Sequence, residues 1–239
     1  MNTVNIKDTQ QKLYEKLKPS GWSDKLKMFL LGDEMTVILT SLLKQSQDGN
    51  HFTPKLKQVF RAFEECPYKD LKVIVIGQDP YPWVYQGTTV ADGIAFSCGN
   101  TQNLQPSLKY IFKEIEDTMH LEKYESNPDL TRWSNQGILL LNTALTTTVN
   151  KVGVHYLVWQ PFIAFLFDML TFSNPGLIYV FLGGKAKEWS VSVPANNFKL
   201  FATHPASAAH SNLERWGSED LFNKISELCY KQYNYKIKW

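Results

Sequence analysis

Four short apolar runs, spaced along the chain, limit the folds that are open to this sequence. They are Leu71–Gly77 (LKVIVIG), Gly137–Asn142 (GILLLN), Leu177–Gly183 (LIYVFLG) and Phe198–His204 (FKLFATH). Each run is nearly continuous rather than alternating, which is typical of strands that are buried on both faces. Such strands belong mostly to parallel sheets covered by helices, so the runs predict an α/β fold with a parallel sheet.

Helical patterns lie between these runs, as the connections of a parallel sheet require. Apolar residues recur at helical spacing after Ser107, which we expect to cap a helix, and again after Pro161, which suits a first turn. A last helix should begin at Ser218, where acidic residues in the first turn would complement the helix dipole.

The first part of the chain is also expected to be helical. Residues 22–31 and 35–43 are apolar with helical character, and Thr53 and Pro54 suit the start of a further helix. No Pro-, Gly- or Ser-rich linker divides the sequence. We therefore predict one domain over residues 1–239, with residues 1–52 as a helical extension packed on it.

Composition narrows the class of protein without naming a partner. Lys and Arg total 25 against 23 Asp and Glu, and this net charge of +2 neither demands nor excludes a polyanion. The three cysteines are scattered, which favours a reduced, intracellular protein. The polar N-terminus (MNTVNIKDTQQ) lacks the pattern of a signal peptide, and the apolar stretches look too interrupted to cross a bilayer. We therefore expect a cytoplasmic protein without a membrane segment.

Polar side chains follow the ends of the predicted strands. Gln78, Asp79 and Tyr81 follow the first run, Asn142 ends the second and His204 ends the fourth. Ligands of open parallel sheets bind beyond the carboxyl ends of the strands, so these side chains are expected to meet in one cleft. Taken singly, each has an ordinary structural explanation, such as a turn residue or a structural histidine. Their joint placement indicates an active site.

Metal and nucleotide cofactors have no signature here. The five histidines show neither H-E-x-x-H nor paired-cysteine spacing, and no G-x-G-x-x-G or P-loop pattern follows the first run. The glycines of FLGGKAKE are best explained by a tight strand-to-helix turn. We expect no metal and no cofactor.

Five blocks of sequence resemble the family 1 uracil-DNA glycosylases. They are GQDPY at 77–81, GIAFS at 93–97, PSLKYIFKEI at 106–115, GILLLNTALT at 137–146 and HPAS at 204–207. The resemblance covers roughly residues 53–239. It implies a three-layer α/β/α fold with a central four-stranded, mainly parallel sheet. It also implies hydrolysis of the N-glycosidic bond of deoxyuridine in DNA, with no cofactor or metal.

The resemblance assigns roles in base recognition to three residues. Phe96 would stack on the extruded base, which must leave the duplex before its bond can be reached. The Asn142 amide, both donor and acceptor, would pair with the 4-carbonyl and N3 edge of uracil. Tyr81 would stand against C5, where the methyl group of thymine would clash.

Catalysis and DNA binding are assigned in the same way. Asp79 would activate the attacking water, and His204, with the backbone near Gln78, would stabilise the departing uracil anion. The DNA contacts implied by the family loops fall on Pro106, Ser107, Ala206, Ser207 and Ala208.

The sequence departs from the family pattern in three places. Pro82 stands where the family usually has a histidine, and the loop from Pro82 to Asp92 is longer by a few residues. This loop is either an ordinary surface insertion or an extra contact with DNA or a partner. Ala208 takes the place of the leucine that wedges into the minor groove, so the usual wedge is weakened.

Two alternatives to an active uracil-DNA glycosylase remain open from the sequence. One is a binding module that serves as a replication partner with reduced activity; the other is a glycosylase for another modified pyrimidine. For the leading hypothesis the partners are uracil-containing single- and double-stranded DNA, with a proteinaceous inhibitor or a replication protein as further candidates. The chain is expected to act as a monomer.

Overall fold

The computed structural model of the 239-residue chain describes residues 5–120, 124 and 126–239. The strands are β1 (Phe52–Thr53), β2 (Val73–Gly77), β3 (Val84–Tyr85), β4 (Thr88–Thr89), β5 (Ile138–Asn142), β6 (Thr147–Thr148), β7 (Ile178–Leu182) and β8 (Phe198–Ala202). The helices are α1 (Ile6–Lys16), α2 (Trp22–Leu30), α3 (Asp33–Gln47), α4 (Arg61–Glu65), α5 (Pro106–Thr118), α6 (Thr131–Ser134), α7 (Tyr156–Ser173), α8 (Gly184–Glu188), α9 (Pro205–His210) and α10 (Leu221–Tyr233).

The central sheet has the strand order β5-β2-β7-β8, and every neighbouring pair in it is parallel. Each of the four apolar runs contains one of these strands, so the predicted parallel α/β fold is confirmed. The register places Gly77 opposite Asn142 at the carboxyl edge of β2 and β5. The two residues are therefore neighbours although 65 positions separate them in sequence.

Helices cover both faces of this sheet. Tyr179 of β7 packs against Phe167 of α7, with ring centroids 5.7 Å apart. The next residue, Val180, lines a small internal space with Phe222 and Ile225 of α10. Because consecutive strand residues point to opposite faces, α7 and α10 lie on opposite sides of the sheet. This is the three-layer arrangement that the family resemblance implies.

The N-terminal helices join the α7 side. Helices α1, α2 and α3 contact one another, and both α2 and α3 contact α7. Phe29 of α2 meets Phe162 of α7 edge to face, with ring centroids 5.3 Å apart. This apolar contact fixes the N-terminal helices to the layer that covers the sheet.

The helix expected to start at Thr53 and Pro54 is not present in that form. Thr53 belongs to β1 and pairs with Thr147 of β6, which holds it in an extended conformation. A short 3₁₀ turn follows at Leu56–Gln58, and α4 begins only at Arg61. The apolar spacing was correct for burial but wrong for one continuous helix, because strand pairing overrides the local pattern.

Three other predicted helix starts are shifted. Gln105 rather than Ser107 caps α5, because Pro106 takes the first helical position, where its missing N–H costs nothing. Helix α7 starts before Pro161, which lies inside it on the exposed face, where water can satisfy the carbonyl left without a partner. Helix α10 begins after Ser218, whose Oγ still accepts a hydrogen bond from a first-turn N–H.

Helix α7 is long and apolar enough to cross a membrane by length and composition, contrary to the expectation from the sequence. Six of its side chains are buried in the protein core: Trp159, Phe162, Ile163, Leu166, Phe167 and Leu170. Its packing against α2 and α3 on one side and against the sheet on the other is that of a core helix.

Candidate active site

The carboxyl edge of β2 and β5 holds two loops side by side. Beyond the last ladder pair, the Gln78 carbonyl accepts hydrogen bonds from Thr143 Oγ1 at 2.9 Å and from the Ala144 N–H at 3.0 Å. The Thr143 N–H donates to the Gly77 carbonyl at 3.2 Å. These bonds hold the loop that follows β2 against the loop that follows β5. The positions of both loops at the edge of the sheet are therefore fixed.

One open cleft lies at this edge. It is lined by Gln78, Asp79, Pro80, Tyr81, Pro82, Trp83, Phe96, Gln105, Pro106, Ser107, Asn142, Val152, His204, Ala206, Ser207, Ala209 and His210. The residues expected to bind the base and to catalyse its release therefore converge, as their placement at strand ends predicted. The roles assigned to them by the family resemblance remain predictions.

Asp79 is held by a loop that follows β6. The Gly153 N–H donates to Asp79 Oδ2 at 2.6 Å, although the two residues are 74 positions apart. Burial raises the pKa of the Asp79 carboxyl above its usual value, and hydrogen bonding from Gly153 and Tyr156 offsets part of that rise. A carboxylate with a raised pKa and one oxygen already anchored is suited to accept a proton from water near neutral pH.

Phe96 has an uncommon backbone conformation. Its φ of +65° lies in the left-handed region, which a bulky residue rarely adopts. The Tyr81 hydroxyl donates to the Phe96 carbonyl at 3.1 Å, so the two aromatic residues are fixed relative to each other. Strain of this kind is typical of functional sites, where the surrounding structure holds a side chain in place.

A buried ion pair supports the loop that carries Phe96. The Asp92 side chain is fully buried, and its Oδ2 lies 2.8 Å from Arg61 Nη1. The same carboxylate accepts from Ser97 Oγ at 2.6 Å and from the Gly99 N–H at 2.9 Å. Because removing one partner of a buried pair leaves the other charge uncompensated, this cluster ties α4 firmly to the loop.

Gly77 leaves room for the two side chains that face each other in the cleft. A Cβ at this position would lie 2.6 Å from Asn142 Oδ1 and 3.0 Å from Phe96 Cζ. Both distances are below van der Waals contact, so only glycine allows the amide and the ring to approach each other here. The Asn142 amide and the Phe96 ring can therefore both contact one small planar ligand.

His204 is neutral at physiological pH. Burial, reinforced by the nearby His210, lowers the pKa of the His204 imidazole to about 4. The Ala206 N–H donates to Nδ1 at 3.1 Å, so Nδ1 acts as an acceptor and the proton of the neutral ring lies on Nε2. The ring lies beside Phe96, with centroids 5.6 Å apart, so the cleft contains one N–H donor on a rigid, uncharged ring.

The predicted DNA-binding residues are placed unevenly. Pro106, Ser107, Ala206 and Ser207 all line the cleft. Ala208 does not: only 1% of its surface is exposed, because it packs into the core from α9. The Ala208 side chain is therefore not part of the cleft surface, and its predicted contact with DNA stays a prediction.

The longer loop after Tyr81 forms a β-hairpin. Strands β3 and β4 pair antiparallel, with Val84 opposite Thr89. Gln86 and Gly87 join them with φ angles of +48° and +76°, the left-handed pair of a type I′ turn. The sequence contains a signal for this hairpin, because a two-residue loop that ends in glycine lies between two pairs of β-forming residues.

Within the described part of the chain, no group of three or more His, Cys, Asp or Glu side chains could hold a metal ion. The cleft itself contains one carboxylate and two imidazoles, and these line it together with apolar and amide groups. The chemistry that this donor set offers is acid–base and hydrogen-bonding chemistry.

Comparison with known proteins identifies the family. The model of the uracil DNA glycosylase superfamily matches residues 63–227. The chain belongs to the uracil-DNA glycosylase superfamily. The uracil-DNA glycosylase of Campylobacter lari is 32% identical over 228 residues, which cover 94% of this chain and 96% of that protein.

Solved structures of glycosylases share the fold. The crystal structure of mimivirus uracil-DNA glycosylase is 27% identical, with a TM-score of 0.85, covering 99% of this chain and 89% of that one. A substituted mimivirus UNG in complex with UGI is 26% identical, with a TM-score of 0.83 over 98% of this chain and 89% of that one. The resemblance inferred from the five sequence blocks is therefore confirmed.

Three parts of this glycosylase site escaped the sequence analysis. They are the anchoring of Asp79 by Gly153 and Tyr156, the Arg61–Asp92 support under Phe96, and the placement of Trp83 on the cleft wall. The first two join residues far apart in sequence, and no local pattern reports such contacts. The third depended on recognising the hairpin.

Proposed function

We propose that this chain is a uracil-DNA glycosylase, which hydrolyses the N-glycosidic bond of deoxyuridine in DNA, releases uracil and leaves an abasic site. One observation carries the proposal: an anchored carboxylate, a neutral imidazole with its Nε2 protonated, and a recess formed by an amide and two aromatic rings share one cleft. Membership of the glycosylase superfamily supports the same activity. The reaction begins the base excision repair of uracil.

Recognition follows from the shape of the recess. The target nucleotide must leave the stack, because its glycosidic bond is hidden inside the duplex. The extruded base then stacks on Phe96 while the Asn142 amide donates to O4 and accepts from N3–H. Cytosine presents the opposite pattern at these two atoms, and the resulting mispairing is costly in a buried site.

Tyr81 excludes thymine by occupying the space at C5. Its hydroxyl is tied to the Phe96 carbonyl, so the ring cannot swing aside to admit a methyl group. Selection against thymine is therefore steric, and selection against cytosine depends on hydrogen bonding.

Cleavage separates charge between the sugar and the base. As the bond from C1′ to N1 breaks, its electron pair leaves with uracil, and the sugar becomes oxocarbenium-like. The Nε2–H of His204 donates to uracil O2, where the negative charge grows, and the Asp79 carboxylate stabilises the sugar cation. Water attacks C1′ and gives its proton to Asp79, and the uracil anion takes a proton from solvent.

Single-stranded DNA should be at least as good a substrate as duplex DNA. Ala208 is buried and small, so no apolar wedge from α9 fills the gap that an extruded base leaves in a duplex. Single strands need no wedge, because their bases are not paired.

The remaining features of the proposal concern partners and setting. We propose a monomer that acts on DNA inside the cell, in the cytoplasm. A substituted mimivirus UNG has been solved in complex with UGI, which supports a proteinaceous inhibitor as a further partner of this chain.

The activity is tested by measuring base release from oligonucleotides that carry one uracil, thymine or cytosine, in single strands and in duplexes. We expect wild-type protein to release uracil alone. In Tyr81→Ala, the removal of the ring should lower the selectivity for uracil over thymine by about 10- to 200-fold. Tyr81→Phe keeps the ring but loses the hydroxyl bond to the Phe96 carbonyl, so its selectivity should lie between those of the wild type and Tyr81→Ala. Absence of uracil release from both single strands and duplexes by the wild type would refute the proposed function.

Gly77→Ala tests the recess itself. The added methyl group would lie within 3.0 Å of Asn142 and Phe96, so the amide or the ring must move. Misplacement by about 1 Å can cost on the order of 10²-fold in rate, and we expect a loss of that size in kcat/KM for uracil release. Gly184→Ala is the matched control, because nothing lies within 4 Å of its added Cβ. Equal rates for both variants would contradict the assigned recess.

A further inference from the structure

We infer that Trp83, on the hairpin of residues 83–90, is a stacking platform for a nucleobase next to the extruded nucleotide. This inference rests on the proposed function, and it specifies how the uracil-bearing strand is held. The ligand is an unpaired base of that strand, bound by the face of an indole ring.

The position of Trp83 is the first support. Its side chain lines the same cleft as Asp79 and His204, and yet 49% of its surface is exposed. Trp83 is four positions from Asp79, and four residues of chain span at most about 14 Å. Trp83 therefore lies within that distance of the carboxylate that must reach the sugar of the extruded nucleotide. A ring at that distance can meet an adjacent nucleotide of the same strand.

The distribution of apolar groups around the cleft is the second support. Of the large apolar side chains that are exposed in the described structure, only Trp83 and Val152, 62% exposed, line this cleft. The α9 side contributes the small residues Ala206, Ser207 and Ala209 and the polar imidazole of His210, but no large apolar side chain. An apolar contact with a base is therefore available on the hairpin side of the cleft.

The hairpin is held firmly at its base. The Asn150 N–H donates to the Pro82 carbonyl at 2.8 Å, and Asn100 Nδ2 donates to the Thr89 and Ala91 carbonyls at 3.2 and 3.0 Å. The Val90 N–H closes the ladder on the Trp83 carbonyl at 3.0 Å. A platform that is already ordered loses little conformational freedom when it binds.

The segment is uncharged and so does not oppose a polyanion. Residues 80–91 carry no acidic side chain, so no carboxylate of this segment repels a phosphate. Stacking of bases on aromatic rings tolerates any base, which fits an enzyme that must find uracil in every sequence context. An uncharged segment with an exposed aromatic ring therefore favours a single DNA strand, whose unpaired bases can stack on the ring, as the ligand.

The experiment pairs two variants of the hairpin with two kinds of substrate. Trp83→Ala removes the platform, and Tyr85→Ala is the matched control, since Tyr85 is similarly exposed at 42% but does not line the cleft. The substrates are single-stranded oligonucleotides with one uracil, either complete or with an abasic spacer in place of the neighbouring base, on the 5′ or the 3′ side.

With complete oligonucleotides we expect Trp83→Ala to lower kcat/KM by about 5- to 100-fold and Tyr85→Ala to leave it unchanged. When the spacer replaces the base that stacks on Trp83, the kcat/KM of the wild type should fall by a similar factor. The kcat/KM of Trp83→Ala should then fall no further. The inference is overturned if Trp83→Ala equals the wild type, if the loss persists in full on both spacer substrates, or if Tyr85→Ala loses as much.

Failure of the two proposals can be told apart. A wild type that releases no uracil refutes the glycosylase activity, whereas an active wild type that is indifferent to Trp83→Ala refutes only the platform. Equilibrium binding of a uracil-free single-stranded oligonucleotide tests the platform without any cleavage. In that assay Trp83→Ala should weaken binding and Tyr85→Ala should not; equal affinities overturn the inference.

Discussion

Replacing Asp79 with asparagine should lower the rate of uracil release under single-turnover conditions by about 10²–10⁴-fold. The amide cannot take the proton from water, and it carries no charge to stabilise the sugar cation. Its oxygen can still accept the Gly153 N–H that now binds Oδ2, so the loop should keep its position. The loss should therefore fall on the chemical step, with substrate affinity nearly unchanged.

Asp168→Asn provides the control for this substitution. Asp168 is an exposed carboxylate on α7 and does not line the cleft, so its neutralisation should leave the rate unchanged. Thermal unfolding of both variants checks that the fold is intact. An Asp79→Asn protein that turns over at the wild-type rate would remove Asp79 from the mechanism.

The sheet and its polar edge could be predicted because their signals are local. An apolar run such as residues 73–77 has to be buried on both faces, and the residue that follows it has to emerge at the carboxyl edge. Asp79 follows such a run closely, Asn142 ends the next, and His204 follows the less buried strand β8, so the strand pattern alone predicted their convergence. No contact between distant segments had to be known.

The support of the site could not be predicted in this way. Gly153 reaches Asp79 from 74 positions away, and nothing in the segment around Gly153 indicates a catalytic contact. The Arg61–Asp92 pair is similar, because a charged residue in sequence is more often solvated than buried. Such contacts depend on how loops cross in space, and one sequence does not report this.

One residue of the predicted DNA-binding set lies in the core for a physical reason. Ala208 occupies the position of the family wedge, but an alanine methyl group gains more from burial than from exposure, and α9 turns it into the core. A large exposed ring, that of Trp83, instead lines the cleft from the hairpin. Substitution at one loop and insertion at another together change which side of the cleft offers an apolar surface to DNA.

Replacing His204 with leucine should lower kcat for uracil release by about 10²–10³-fold, the usual cost of removing one donor to a developing anion. Leucine is apolar and of similar size, so the cavity should stay filled while the Nε2–H is lost. His204→Gln retains an amide donor and should recover part of the rate. If His204→Leu released uracil as fast as the wild type, the departing anion would have to be stabilised by other groups.

The charge state of His204 decides how that donor works, and it can be measured directly. With its pKa lowered to about 4, the ring should give the ¹⁵N NMR signals of a neutral Nε2–H tautomer at pH 7 and should titrate only in acid.

The unfolded ring titrates near pH 6.5. Between these values the unfolded state binds more protons than the folded state, so this ring makes stability fall as the pH drops from 6.5 towards 4. His204→Leu should lose that part of the pH dependence in urea unfolding. A wild-type ring that titrates near pH 6.5 would instead mean a cationic donor at mildly acidic pH.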